Sequence, residues 1–258
     1  YPLRRQRQMC IRDRIKCVPN YNLISKFIKK DFVHFHANDL NIHIPNDFIK
    51  SYNYLSKDNY IINNVKTNRY RRFKTYDIKI KNRYDSPYLI NPLNTDTFEQ
   101  NVKDDRSIIR KYDNIECKYA NSDWVIQFIT NFTEIALINK CIEDKIYHND
   151  ISAKVTVHQV RVASDSFCPS TNSPEGIHKD GAHWIISALI INKFNISGGS
   201  SIIYDNFKNT LFTTNLDILQ GIFMNDHKFF HNVTPIISKY HDSFGFRDII
   251  GLDIIFYH

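Results

Sequence analysis

Between residues 153 and 258 the chain is a succession of short β-prone runs separated by turn residues, which predicts short strands for this part. The runs are KVTVHQVRVA (154–163), HWIISALIIN (183–192), SSIIYD (200–205), LDILQGIFMN (216–225) and GFRDIIGLDIIFYH (245–258). Gly, Pro, Asn and Asp stand between them and supply the backbone angles and side chain–backbone hydrogen bonds of turns. Several short strands with turn chemistry between them predict a sandwich or barrel. Gly198 and Gly199 read as a hairpin turn, not as a phosphate cradle, because no helix start follows them.

The part before residue 150 is mixed. Pro45 marks a turn with a short helix after it, in IHIPNDFIKSYNYL. In NRYRRFKTYDIKI (68–80) the second half alternates as a strand does, with Tyr76, Ile78 and Ile80 on one face and Asp77 and Lys79 on the other. Residues 85–96 are rich in turn formers. The clearest helix spans 121–145, where Trp124, Val125, Phe128, Ile129, Phe132, Ile135 and Ala136 recur at helical spacing and Asn121 or Ser122 can cap the start. That stripe predicts a helix packed on a sheet. The expectation is therefore an α+β, mostly β, single domain over 15–258. An N-terminal α/β part (15–150) braces a C-terminal β-sandwich (151–258).

An apolar fraction of 42% is ample for a packed core. The longest strongly apolar run, WIISALII (184–191), is far short of the roughly 20 residues that span a bilayer, and no signal peptide is visible. The five cysteines (Cys10, Cys17, Cys117, Cys141, Cys168) are scattered and odd in number, which fits reduced thiols in a cytoplasm. The formal net charge of +7 falls to +3 once the opening YPLRRQRQMCIRDR, with its five Arg and one Asp, is set aside. That opening resembles translated adapter sequence, so residues 1–14 are expected to be a non-native tail. The remaining charge calls for neither a nucleic-acid nor a membrane partner. A small-molecule substrate is expected, and a homodimer is compatible with the sequence.

The chemistry concentrates in PEGIHKDGAHW (174–184). In an extended chain His178 and Asp180 point the same way, so the pair offers one imidazole and one carboxylate to a common point. A second imidazole must come from elsewhere in the fold, and the candidates downstream are His183, His227, His231, His241 and His258. His231, in FMNDHKFFHNVTPI, lies at a separation that suits a jelly roll, where the third ligand arrives several strands after the HxD pair. Arg247 follows at the start of a strongly apolar strand, and an arginine there is costly to bury unless it meets an anion. Two His and one carboxylate on one face of an octahedral ion leave three positions open, as in non-haem Fe(II) oxygenases. An α-keto acid takes two of them and O2 the third, and a buried Arg can hold the far carboxylate of 2-oxoglutarate.

HQVR, PEGIHKDGA, SGGSSIIYD, NDHKFFHNVTPI and GFRDIIGLDI together resemble the bacterial 2-oxoglutarate/Fe(II) dioxygenase family that includes L-isoleucine 4-hydroxylase and related free-amino-acid hydroxylases. Upstream, RYRRF also resembles a segment of that family. The resemblance implies a double-stranded β-helix (a cupin-like jelly roll) with an N-terminal α/β extension. It implies Fe(II), 2-oxoglutarate and O2, and it assigns His178, Asp180 and His231 to the metal and Arg247 to the co-substrate. The implied reaction decarboxylates 2-oxoglutarate to succinate and CO2 and hydroxylates an unactivated C–H bond. Related halogenases lack the carboxylate ligand, so Asp180 favours hydroxylation. His183 is a departure, since a different and often acidic residue is expected there.

The remaining candidates are open in role. Tyr204 is a candidate hydrogen-bond partner of the co-substrate. Arg161 is the best local cation for the carboxylate of an amino acid, against a structural salt bridge. Gln159 and His158 lie on the same predicted strand. Glu175 is a candidate for a substrate amine, and His183 for a substrate contact or a further ligand, against a supporting hydrogen bond. RYRRF reads as a phosphate binder, or as a solvated basic face or a set of salt-bridge partners. Three further readings stay open: a non-oxygenase cupin-type metal enzyme, which has no need of Arg247; a nucleic-acid binder using RYRRFK; and a hydroxylase of peptide side chains, which a basic surface groove would favour.

Overall fold

A computed structural model describes residues 20–60, 67–81, 88–102, 107–145, 150–165, 167–240 and 243–257. The arginine-rich opening, Cys10, Cys17, His241 and His258 lie outside them. In chain order the elements are α1 (Tyr21–Lys30), β1 (Phe32–His36), α2 (Asn46–Ser51), β2 (Arg69–Lys81), β3 (Leu89–Pro92), β4 (Thr97–Phe98), β5 (Arg110–Lys111), α3 (Cys117–Ala120) and α4 (Asp123–Asp144). The second half holds β6 (Asp150–Ser164), β7 (Trp184–Phe194), β8 (Ile196–Gly198), β9 (Ser201–Tyr204), β10 (Thr210–Thr214), β11 (Gln220–Asn225), β12 (Phe230–Val233), β13 (Ile236–Ser238) and β14 (Gly245–Tyr257).

Seven strands form one antiparallel sheet in the order β1-β11-β7-β14-β6-β2-β3. A second sheet faces it. There β9 lies between β10 and β12, and β8 pairs with β13. Backbone hydrogen bonds from Gly199 to Pro235 and from Thr234 to Ser200 join these pairs into two long, bent strands. Bridges from Ser170 to Ile236 and from His178 to His231 add the chain before β7 as a further edge. The two sheets make the expected double-stranded β-helix.

Three details depart from expectation. Strands β6, β7 and β14 run for 15, 11 and 13 residues, longer than the short strands expected, because each is paired along the main sheet. The chain at Gly198–Gly199 is a bend between β8 and β9, which do not pair with each other, so it is not a hairpin turn. Both glycines have positive φ, and a Cβ at Gly198 would lie 2.2 Å from the Pro235 carbonyl oxygen. The part before residue 150 is also not merely a brace. Its strands β1, β2 and β3 extend the main sheet, with Arg69–Lys81 paired along its whole length to β6.

Strand alternation sorts the main sheet into two faces. Tyr76, Ile78, Val155, Val157, Leu252 and Ile254 join α1 and α4 in the outer core. Helix α4 is buried on most of its surface, as its run of Trp124, Phe128, Ile129 and Phe132 predicts. Ser122 takes the cap position, but its hydroxyl donates to the Tyr119 carbonyl and not into the helix. Val160, Val162, Ala188, Ile203, Ile236 and Ile249 fill the space between the sheets. Odd residues of β14 and β2 and even residues of β6 therefore face inward. No helix among the described residues is long and apolar enough to cross a membrane.

Candidate metal and co-substrate site

His178 and His231 sit opposite each other as a two-way backbone pair, with N–H to O=C distances of 3.0 and 2.8 Å. This pairing brings two imidazoles distant in sequence to ring centroids 4.2 Å apart. Asp180 completes the group, with its carboxylate oxygens 3.4 Å from each Nε2. All three ligand atoms lie within 4.8 Å of one another. Bonds of about 2.1 Å at right angles hold ligand atoms roughly 3 Å apart, so these residues can cap one face of an octahedral ion. Burial lowers the proton affinity of His178, but the facing Asp180 and Glu175 carboxylates reverse this and hold its pKa at about 10. A divalent cation would compete for the same electron pair and displace that proton.

The turn after His178 is held from below by Asp226, a residue the sequence did not single out. Its carboxylate accepts from the Asp180 and Gly181 amides (3.1 and 2.8 Å) and stands 4.0 Å from His231 Nδ1. Burial, with the Asp180 charge beside it, pushes Asp226 up to about 7. The only sequence signal was its position in NDHKFFH, within reach of a ligand.

Arg247 faces inward from β14 and is 5% exposed. Its Nη1 donates to the Gly199 carbonyl at 2.8 Å, whereas its Nη2 is buried with no hydrogen-bond partner. Burial alone lowers its pKa to about 10. A narrow slot of about 10 Å3, lined by Val162, Ala188, Val233, Ile236 and Ile249, adjoins it. Val233, Ile249 and Asn172 also line a cavity of about 80 Å3 at the triad, so slot and cavity share walls. A linear dicarboxylate needs this arrangement: an apolar passage for its methylenes and an unfilled guanidinium edge at the far end.

The other expected site residues are placed differently. Tyr204, paired with Phe230 on β9 and β12, lines neither the cavity nor the slot. Arg161 and Gln159 lie on the outer face of β6, because 158 and 160 take the inner one. Arg161 forms a fork with Asp248 (2.6 and 2.8 Å), its cross-strand neighbour, and stacks on Phe246. Gln159 donates to the Ser51 hydroxyl. His183 accepts the Phe256 amide through Nδ1 at 3.1 Å and packs against Trp184 and His227, so it braces the end of β14. Burial lowers its pKa to about 4, with the His227 and Lys140 charges adding to the effect. Glu175 alone of the expected substrate contacts is at the cavity, 3.0 Å from His178 Nε2.

The RYRRF arginines do not form a surface for nucleic acid. Arg69 is buried against Asp58 at 2.7 Å, and Arg72 pairs with Glu116 at 2.9 Å. Arg71 turns inward and lines the cavity with Arg110, Gln100, Phe98, His158 and Asp253. A second cavity of about 290 Å3 shares the Phe98, Gln100, Asp180 and Asp253 wall.

Comparison with known proteins agrees with this geometry. The family of 2OG-Fe dioxygenases matches residues 49–253. No curated protein sequence matches the chain. Among solved structures, the fold is similar to that of IDO from Bacillus thuringiensis (TM-score 0.70, 19% identity, 93% of this chain and 100% of that one). It is also similar to a bsmA homolog from Methylobium petroleophilum PM1 (TM-score 0.74, 13% identity, 93% and 94%). A third is the Fe(II)/(alpha)ketoglutarate-dependent dioxygenase TqaL (TM-score 0.61, 12% identity, 92% and 86%). At these identities the likeness is one of fold. The family match covers most of the chain and includes the His178, Asp180 and His231 cluster, and on that ground the chain belongs to the 2OG-Fe dioxygenase family.

Proposed function

We propose that the protein hydroxylates an unactivated C–H bond of a free L-amino acid or a similar small amino compound, in the manner of the L-isoleucine 4-hydroxylase group it resembles. The family supplies Fe(II), 2-oxoglutarate and O2. The observation that carries the reading is the His178–Asp180–His231 cluster beside a slot that ends at the unfilled Nη2 of Arg247. A non-oxygenase metal enzyme has no use for that arginine. Iron held at the triad supplies O2 activation coupled to decarboxylation of 2-oxoglutarate, which yields succinate and CO2.

The chain's own part is positioning and exclusion of water. His178 and His231 present Nε2, and Asp180 presents a carboxylate steadied by the Gln100 amide at 3.3 Å and by the Asp226 clasp on its backbone. Arg247 would hold the far carboxylate of 2-oxoglutarate, and Val162, Ala188 and Ile236 would line the slot for its methylenes. A small cavity between two sheets, lined by charges of both signs, favours a small zwitterionic substrate over a peptide. Cytoplasmic residence is part of the same proposal.

The test is succinate formation from 2-oxoglutarate with Fe(II), ascorbate and air across the twenty free amino acids, with mass spectrometry for a product gaining one oxygen. Succinate coupled to a hydroxylated amino acid is expected. Iron-loaded protein that binds no 2-oxoglutarate would overturn the reading. Turnover stimulated only by peptides would overturn its substrate half.

A further inference from the structure

We propose that Arg71, Arg110 and Asp253 form a zwitterion site beside the triad, in which the two guanidiniums take the α-carboxylate and Asp253 takes the α-ammonium of a free amino acid. This rests on the amino-acid reading above and moves to these side chains the roles for which Arg161 and Glu175 were candidates.

The three side chains come from three strands that meet only in the fold. Arg71 is on the inner face of β2, Asp253 on the inner face of β14, and Arg110 on β5. Arg71 and Arg110 both stack on Phe98, with guanidinium carbons 5.4 and 5.1 Å from its centroid, and Arg71 also lies 4.4 Å from the Tyr112 centroid. Such stacking fixes a planar guanidinium while leaving its edge for an anion. Arg69 is satisfied by Asp58, but Arg71 makes no ion pair among the described residues, and its Nε is buried without a hydrogen-bond partner. A buried cation in that state calls for an anion.

His158 sets the spacing. Arg71 Nη2 meets its Nδ1 at 2.8 Å, and its Nε2 meets Asp253 Oδ2 at 2.9 Å. Arg71 can only donate, so Nδ1 accepts and Nε2 carries the proton to Asp253. Cation and anion are thus held one imidazole ring apart. An α-amino acid carries its carboxylate and ammonium on one carbon and can bridge such a pair with one hydrogen bond at each end. Gln100 fixes the direction of the side chain. Arg110 donates to its carbonyl oxygen, and its amide reaches Asp180 Oδ1, so a carboxylate on Arg110 sits one glutamine away from the metal carboxylate. The substrate's side chain then projects toward the triad.

The experiment is anaerobic titration of the full chain, loaded with Fe(II) and 2-oxoglutarate, with each of the twenty L-amino acids, read by the visible charge-transfer band of the iron complex. The amino acid that perturbs the band most is then compared with its carboxamide and its N-acetyl derivative. Both derivatives are expected to bind at least about tenfold more weakly, a change of the size a lost charge-assisted contact produces. In R71Q the preference for acid over amide should collapse, and in D253N the preference for amine over N-acetyl. Both are ratios within one variant, so partial destabilisation does not mimic them, and the wild-type comparison needs no variant. E175Q should keep both preferences. Equal binding of either derivative, an R71Q that keeps its preference, or loss of the amine preference in E175Q but not D253N would overturn the proposal. A charge-transfer band that no amino acid perturbs would also overturn it, yet leave the 2-oxoglutarate site standing. Failure of the band to form would refute the proposed function itself.

Discussion

Replacing Arg247 with methionine separates its two roles, because they predict opposite results. Methionine keeps the length and removes the charge. The unfilled Nη2 is the edge offered to the co-substrate, and a charge-assisted hydrogen bond there is worth about 1.5 to 3 kcal/mol. At about 1.4 kcal/mol per factor of ten, 2-oxoglutarate should bind roughly 10- to 100-fold more weakly. Stability without co-substrate should change little. The variant loses the bond to the Gly199 carbonyl, about 1 to 3 kcal/mol, but it is relieved of a buried cation that burial has already lowered to about 10. The assay is thermal melting with and without 2-oxoglutarate, in anaerobic protein loaded with the metal. At a ligand concentration of 100 times the wild-type Kd, the wild type gains about 2.7 kcal/mol and the variant should gain about 0.4 to 1.4. A variant with the full wild-type gain would show that the dicarboxylate does not end at Arg247. A loss of several kcal/mol without ligand would make the arginine structural.

His178→Ala and His231→Ala should each abolish iron-dependent succinate formation and lower bound iron, measured by metal analysis; full retained activity would remove that residue from the triad. Arg161→Met strands the buried Asp248 carboxylate, so it should cost about 3 to 5 kcal/mol in denaturant unfolding while leaving amino-acid affinity unchanged; weakened amino-acid binding would restore Arg161 as a substrate residue. His183 is held near 4 in the fold against about 6.5 unfolded, so the native state binds fewer protons. The stability from its neutral ring is full above about 6.5 and is lost as pH falls toward 4, so H183Q should show a shallower drop in Tm over that window, and equal slopes would refute the assignment.

The metal ligands were legible in the sequence because their signal is local or ordered along the chain. HxD is a two-residue spacing on an extended segment, and His231 and Arg247 follow in the order in which a jelly roll delivers its strands. The substrate wall was not legible, for two physical reasons. The first is that β6 is buried on both faces, with Val155 and Val157 in the outer core and Val160 and Val162 in the inner one. Period-two alternation separates His158 from Gln159 and Arg161, but without a solvent face it does not say which set meets the cavity. Arg161 lies on the strand just before the triad in sequence, yet on the wrong side of the sheet. The second reason is that the cations that do face the cavity come from β2 and β5, and their placement depends on pairings such as Arg71 with Val160, between strands with α4 and a long stretch of chain between them. RYRRF reads in sequence as one basic cluster because three of its five residues are Arg. Alternation divides it, sending Arg69 and Arg71 inward and Arg72 out to Glu116, so the same segment supplies a buried ion pair, a cavity cation and an exterior salt bridge.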